Sequence, residues 1–134
     1  MKKQKVLITG MAGRIGTVVH TRLADKYDFT SLDKVSVDNF PSHIGDLADF
    51  ETMRPAFNGQ EIVIHLAAEP SAAAPWELIL RNNIIGTYNV MKASRESGVK
   101  RVVFASTNHV VGYIPMKEEP YKSIYEDRLT DLLM

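Results

Sequence analysis

The 134-residue chain carries 16 Lys and Arg against 16 Asp and Glu, a formal net charge of zero, and no cysteine. That balance gives no electrostatic reason for a nucleic-acid or membrane-surface partner, and the missing thiols exclude disulfides and thiolate metal sites. With 45% hydrophobic and 24% charged residues, the composition is that of one soluble globular domain, and no apolar run approaches the roughly 18 residues of a membrane span.

The basic start, Met1-Lys2-Lys3-Gln4-Lys5, leads into an apolar run that soon ends at Thr9-Gly10. It reads as a strand, Lys5 to Thr9, rather than a secretory leader, and the default location is the cytoplasm. A helix is predicted from Arg14 to about Lys26, with Ile15, Val18, Val19 and Leu23 on one face. A second strand runs from Phe29 to Leu32 and ends at Asp33, a loop spans Lys34 to Pro41, and His43-Ile44-Gly45-Asp46 is a short third strand. Asp49 to Phe57 makes a short helix that Asn58-Gly59 stops. Glu61 to Leu66 is a fourth strand whose Ile62-Val63-Ile64 run is apolar without alternation, as in a parallel strand buried on both faces. Pro75 opens a long helix that reaches about Ser97 before Gly98, and Lys100 to Ser106 is a fifth strand. Alternating strands and helices predict a doubly wound α/β domain of Rossmann type, with a parallel sheet in the order 3-2-1-4-5 and ligand at the carboxyl ends of the strands.

Residues 1–112 form this dinucleotide-binding domain, and 113–134 read as an irregular tail with a short helix carrying Ile124, Leu129, Leu132 and Leu133. No sixth strand follows. The fifth strand is then left with an unpaired edge, which predicts a homo-oligomer; the alternative is a monomer whose tail folds back on its own sheet.

The most informative segment is Gly10-Met11-Ala12-Gly13-Arg14-Ile15-Gly16, set between the first strand and the first helix. Glycines allow a tight turn and close backbone approach, and the helix N-terminus offers N–H groups to a pyrophosphate. Asp33, at the end of the second strand, is placed to accept the adenosine ribose hydroxyls and repel a 2′-phosphate, favouring NAD; the plainer reading is a solvated loop acid. Arg14 and Lys34 are cations able to meet a phosphate, which leaves NADP open. Asp46 suits the adenine amino group with Leu47 against the ring, or equally an N-cap for the next helix. His65 is expected as a buried, hydrogen-bonded histidine, because no metal partners accompany it, while Leu66, Ala67 and Ala68 leave room for the cofactor backbone. Ser71 is either a substrate hydroxyl or a loop serine.

On the long helix, Ile79, Asn83, Gly86, Thr87, Val90 and Ser94 form a small-residue side for packing on the sheet. Trp76, Leu80, Ile84, Tyr88 and Met91 extend the arc, either as one broad core face or as a seam for a partner subunit. Ser106, Thr107, Asn108 and His109 end the fifth strand at the ligand edge, where hydroxyls can donate to a substrate oxyanion; the plainer reading is a polar strand-to-loop transition.

Thr9-Gly10-x-x-Gly13-x-x-Gly16, Asp33, Gly45-Asp46-Leu47, His65-Leu66-Ala67-Ala68, Asn83-x-x-Gly86-Thr87 and Val102-Val103-Phe104-Ala105-Ser106-Thr107 stand in this order. The chain in this respect resembles the extended short-chain dehydrogenase/reductase family, which includes the NAD-dependent sugar epimerases and dehydratases. Ser71 together with Ser106-Thr107-Asn108-His109 is similar to the uronate dehydrogenases and their relatives, which oxidise a sugar C1 hydroxyl to a lactone with NAD. The resemblance implies cofactor contacts at Gly10, Gly13, Arg14, Ile15, Gly16, Asp33, Asp46, Leu47, Leu66, Ala67, Ala68 and Asn83. It implies Thr107 as the catalytic hydroxyl, Ser71, Ser106, Asn108 and His109 against a small-molecule sugar substrate, and no metal.

The family also uses Tyr-x-x-x-Lys on a later helix, with the tyrosine as acid/base. Beyond Thr107 only Tyr113 and Lys117 match that spacing, and Pro115 between them breaks the helical turn that would stack the pair. The chain accordingly reads as the NAD-binding part of a sugar-directed oxidoreductase, with the C-terminal part of the family fold missing and no turnover by itself. The alternatives are a nucleotide-sugar epimerase or dehydratase, and a complete non-catalytic nucleotide-binding or oligomerisation module.

Overall fold

The computed structural model describes residues 2–71 and 73–107. They form β1 (Gln4–Thr9), α1 (Arg14–Leu23), β2 (Tyr27–Asp33), β3 (Ser42–Ile44), α2 (Phe50–Met53) running into a 3₁₀ turn (Arg54–Phe57), and β4 (Ile62–His65). A long helix follows in three parts, α3 (Trp76–Ile79), a π-helical segment (Leu80–Ile85) and α4 (Gly86–Glu96), and then β5 (Arg101–Phe104). The five strands make one parallel sheet in the order β3-β2-β1-β4-β5, as the alternation of elements predicts.

Strand side chains alternate between faces, so the sheet carries two cores. Val6, Ile8 and Phe29 pack with Met11 beneath Val19 and Leu23 of α1. Leu7, Leu32 and Val63 face the other way, against Met53 and Phe57 and against Val90 and Ala93 of α4. Phe57 is fully buried, and truncating such a side chain to alanine costs about 3–5 kcal/mol.

Several boundaries differ from the sequence reading. α1 ends at Leu23 rather than Lys26, because the Lys26 N–H closes a turn onto the Leu23 carbonyl and the chain reverses at once. β2 starts at Tyr27, paired with Gln4. β3 stops at Ile44, and β5 stops at Phe104 instead of Ser106. β4 buries Val63 and His65 on one face, but Ile62 and Ile64 on the other are only partly covered. The apolar face of α1 is narrower than its spacing suggests: Ile15 and Val18 are exposed.

The arc of the long helix is not one broad core face among the described residues. α4 buries Gly86, Asn89, Val90, Ala93 and Ser94, whereas Trp76, Ile84, Tyr88 and Met91 are exposed. Asn108, His109, the domain boundary at 112 and the tail helix lie outside the described residues.

Candidate functional site

The carboxyl ends of β1, β2 and β4 surround a cleft of about 270 Å³ lined by Gly10, Gly13, Leu32, Asp33, Lys34, Gly45, Leu47, Leu66, Ala67, Ala68, Glu69 and Asn82. Its floor is the glycine turn. Gly10 has φ +75°, and a Cβ there would come within 2.7 Å of the Ala67 nitrogen at the end of β4. A Cβ on Gly16 would meet the carbonyl oxygens of Gly10 and Met11 at 2.5 Å, so this glycine lets α1 sit directly on the turn. α1 has Gly13 at its N-cap, with no side-chain cap and no acid in the first turn. The Gly13 N–H is taken by the Gly10 carbonyl at 3.1 Å, and the N–H groups of Arg14 and Ile15 that follow, in the first turn of the helix, have no partner within it and can meet an anion.

Asp33 lies in the cleft wall. Its Oδ2 accepts the Ala12 N–H at 2.9 Å and its Oδ1 accepts the Lys34 N–H at 2.7 Å. A carboxylate has about four acceptor positions, so two bonds leave acceptor capacity on the side facing the cleft.

Asp46 is not the helix cap. That position belongs to Asp49, whose carboxylate accepts from the Thr52 N–H at 3.3 Å. Asp46 instead accepts the Ala48 N–H at 2.9 Å and pairs with Arg81. Partial burial pushes its carboxyl upward, but the Ala48 and Arg81 hydrogen bonds and the charges of Arg81 and Lys34 outweigh that and hold it below the usual value of 3.8.

His65 is a buried, hydrogen-bonded histidine, as the sequence reading favours. Its Nδ1 lies 2.6 Å from Thr9 Oγ1 and its Nε2 3.0 Å from Thr87 Oγ1, and its ring stacks on Phe104 at 5.4 Å. Burial pushes its pKa from 6.5 down to about 4, so it is neutral near pH 7. It joins the base of the glycine turn to α4 and β5.

Of the residues expected to touch a cofactor, Gly10, Gly13, Asp33, Leu47, Leu66, Ala67 and Ala68 line the cleft. Gly16 is buried behind the turn, and Arg14 and Ile15 occupy the exposed first turn of α1. Asn83 is not in the lining: its carboxamide accepts the Glu69 N–H at 2.7 Å and donates to the Glu69 carbonyl at 3.0 Å. Asn82, beside it, does line the cleft, and so does Glu69, whose carboxylate accepts the Ser71 N–H at 3.0 Å. Neither stood out in the sequence. The signal available was the polar run Arg81-Asn82-Asn83 inside an otherwise apolar stretch.

Ser71 is exposed, and its hydroxyl accepts the Ala73 N–H at 3.2 Å. Ser106 and Thr107 are exposed beyond β5, on the same carboxyl edge of the sheet as the cleft. Among the described residues no cluster of three or more His, Cys, Asp or Glu is suited to a metal ion, and no helix is long and apolar enough to cross a membrane.

A model of the NAD dependent epimerase/dehydratase family matches residues 6–128. A NAD-dependent glucose-6-phosphate dehydrogenase from Haloferax volcanii is 40% identical over 118 residues, covering 81% of this chain and 45% of its own length. A uronate dehydrogenase from Agrobacterium fabrum is 38% identical over 120 residues, covering 86% of this chain and 45% of its own. The crystal structure of a mutant uronate dehydrogenase from Agrobacterium tumefaciens complexed with NAD matches with a TM-score of 0.77 at 37% identity, over 87% of this chain and 46% of that one. The chain thus spans less than half the length of these relatives. With its glycine turn, its 3-2-1-4-5 sheet and this match over most of its residues, the chain belongs to the NAD dependent epimerase/dehydratase family.

Proposed function

We propose that the chain is the NAD-binding portion of a sugar-directed oxidoreductase that converts a sugar C1 hydroxyl to a lactone. The observation that carries this reading is the convergence of the uncapped α1 N-terminus, the Gly10–Ala67 close approach and the Asp33 carboxylate on one cleft.

The cleft fits a dinucleotide. Backbone N–H groups at Arg14 and Ile15 hold the pyrophosphate at a helix end that no side chain caps. Asp33 uses its remaining lone pairs for the adenosine ribose and repels a 2′-phosphate, so NAD is preferred over NADP. Asp46 accepts from the adenine amino group with Leu47 against the ring, and Ala67 and Ala68 leave space for the cofactor backbone.

When bound, the dinucleotide supplies a hydride acceptor. Thr107 and Ser106 donate hydrogen bonds to the substrate oxygen, and Ser71, Asn108 and His109 hold the rest of the sugar. The C1 hydrogen leaves with its electron pair and the hydroxyl proton passes to a base. Tyr88 and Lys92 have the Tyr-x-x-x-Lys spacing but lie on α4, ahead of β5 and not on a helix beyond Thr107, and Tyr113 and Lys117 have Pro115 between them; on this reading the stretch binds the cofactor without turning substrate over. A cytoplasmic homo-oligomer is the accompanying proposal, supported by the exposed Trp76, Ile84, Tyr88 and Met91.

Calorimetric titration with NAD tests the reading. One-site binding that is tighter for NAD than for NADP supports it; no binding of either overturns it.

A further inference from the structure

The helix beside the cleft is irregular where it meets the cleft. Leu80–Ile85 winds as a π-helix, and the Gly86 N–H reaches back to the Arg81 carbonyl. Such turns are rare and concentrate at functional sites. Three consecutive residues of an α-helix fan out over about 200°, too wide for all three to serve one cleft. The wider π turn draws successive side chains together.

Arg81, Asn82 and Asn83 occupy this segment, and each meets a different wall. Arg81 Nε and Nη2 both lie 3.0 Å from Asp46 Oδ2, on the loop after β3. Lys34, at the end of β2, donates from Nζ to Asn82 Oδ1 at 3.4 Å. Asn83 grips the Glu69 backbone, after β4, from both sides at 2.7 and 3.0 Å. One turn farther on, the buried Asn89 amide donates to the Leu47 carbonyl at 2.8 Å. Three loops that wall the cleft are therefore held by one helix.

We propose that Arg81 and Asn83 are positioning residues for opposite halves of the dinucleotide. Arg81 sets the adenosine end through Asp46 and Leu47. Asn83 sets the β4 loop, along which the pyrophosphate and nicotinamide ribose lie. The π segment is the joint that lets one helix serve both. This rests on the dinucleotide reading above.

The Arg81 side chain is 57% exposed, so its ion pair adds little global stability. Its removal releases the Asp46 carboxylate, while Asn89 still holds the Leu47 carbonyl, so the protein does not unfold. The test is calorimetry of the intact protein with AMP and with NAD, alongside thermal melts. Arg81→Ala is expected to weaken both ligands by the same factor, about 5- to 10-fold, with little change in Tm. Arg81→Lys, which keeps the charge, is expected to recover part of that loss. Asn83→Ala is expected to weaken NAD by a comparable factor while AMP stays within about twofold. Asn83→Ser carries the same expectation should the alanine variant fail to fold.

A general loosening of the fold would instead weaken AMP and NAD alike in both variants, and that result overturns the proposal. Unchanged affinities in both variants overturn it equally. Unmutated protein that binds neither AMP nor NAD overturns the dinucleotide reading itself, which is a distinct outcome from variants that bind without the split.

Discussion

Asp33 Oδ2 accepts the Ala12 N–H at 2.9 Å, so the carboxylate proposed to read the ribose also fastens the end of β2 to the glycine turn. The two tasks use different lone pairs of one group. Removing the carboxylate therefore loosens the turn as well as the ribose contact.

Asp33→Ala is expected to weaken NAD by roughly 10- to 100-fold, the 1.5–3 kcal/mol typical of hydrogen bonds to a charged group. Discrimination against NADP should fall at the same time, because the repelling charge is gone. Calorimetry with both dinucleotides measures this. NADP binding more tightly than NAD to the unmutated protein would show the ribose assignment to be wrong.

Gly16→Ala tests the packing of α1 on the turn. The added Cβ would sit 2.5 Å from two backbone carbonyl oxygens, which cannot yield as a flexible side chain does. A loss of about 1–3 kcal/mol is expected, the usual cost of overpacking, read as a lower Tm with weaker NAD binding. An unchanged melt would contradict the close contact.

His65 gives a pH signature. Its folded pKa of about 4 lies below its ordinary 6.5, so the unfolded chain takes up the proton first. The stability linked to this group is complete above pH 6.5 and declines as pH falls, until it is lost near pH 4. At about 1.4 kcal/mol per unit the loss is up to about 3 kcal/mol. Glu61 and Asp46, both held below their ordinary 4.5 and 3.8, add losses as pH falls toward those values. Chemical denaturation between about pH 7 and 5.5 isolates the histidine. His65→Gln should flatten the slope there, and an equal slope in both proteins would refute the assignment.

The proposed self-association is motivated by the exposed Trp76, Ile84, Tyr88 and Met91 and by β5, which ends the sheet among the described residues. Light scattering at micromolar concentration should report a dimer or larger, and Tyr88→Glu should shift it toward monomer. A clean monomer that remains one after deletion of residues 121–134 would rule out both the helix seam and the open edge.

For catalysis, the 134-residue chain mixed with NAD and galacturonate is expected to give no NADH above background. Loss of a general acid–base group costs about 10²- to 10⁴-fold. Robust NADH production would place the proton acceptor within these residues.

The strand order, the Gly10–Gly16 turn, Asp33 and the buried His65 were legible in the sequence, because each is written in short-range chemistry. Apolar periodicity marks strands and helices, glycine marks the tight turn, and an acid at a strand end marks the cleft wall. What only the tertiary structure decided is pairing across distance. Asp46 and Arg81 are 35 positions apart, and nothing local to either names the other. The same holds for Asn83 on Glu69 and Asn89 on Leu47, which depend on how the long helix docks. The π segment was equally hidden, since one widened turn leaves no mark in the apolar spacing. The exposure of Ile84 and Tyr88 also had to come from packing: periodicity shows which side chains share a face, and only neighbouring elements determine whether that face is covered.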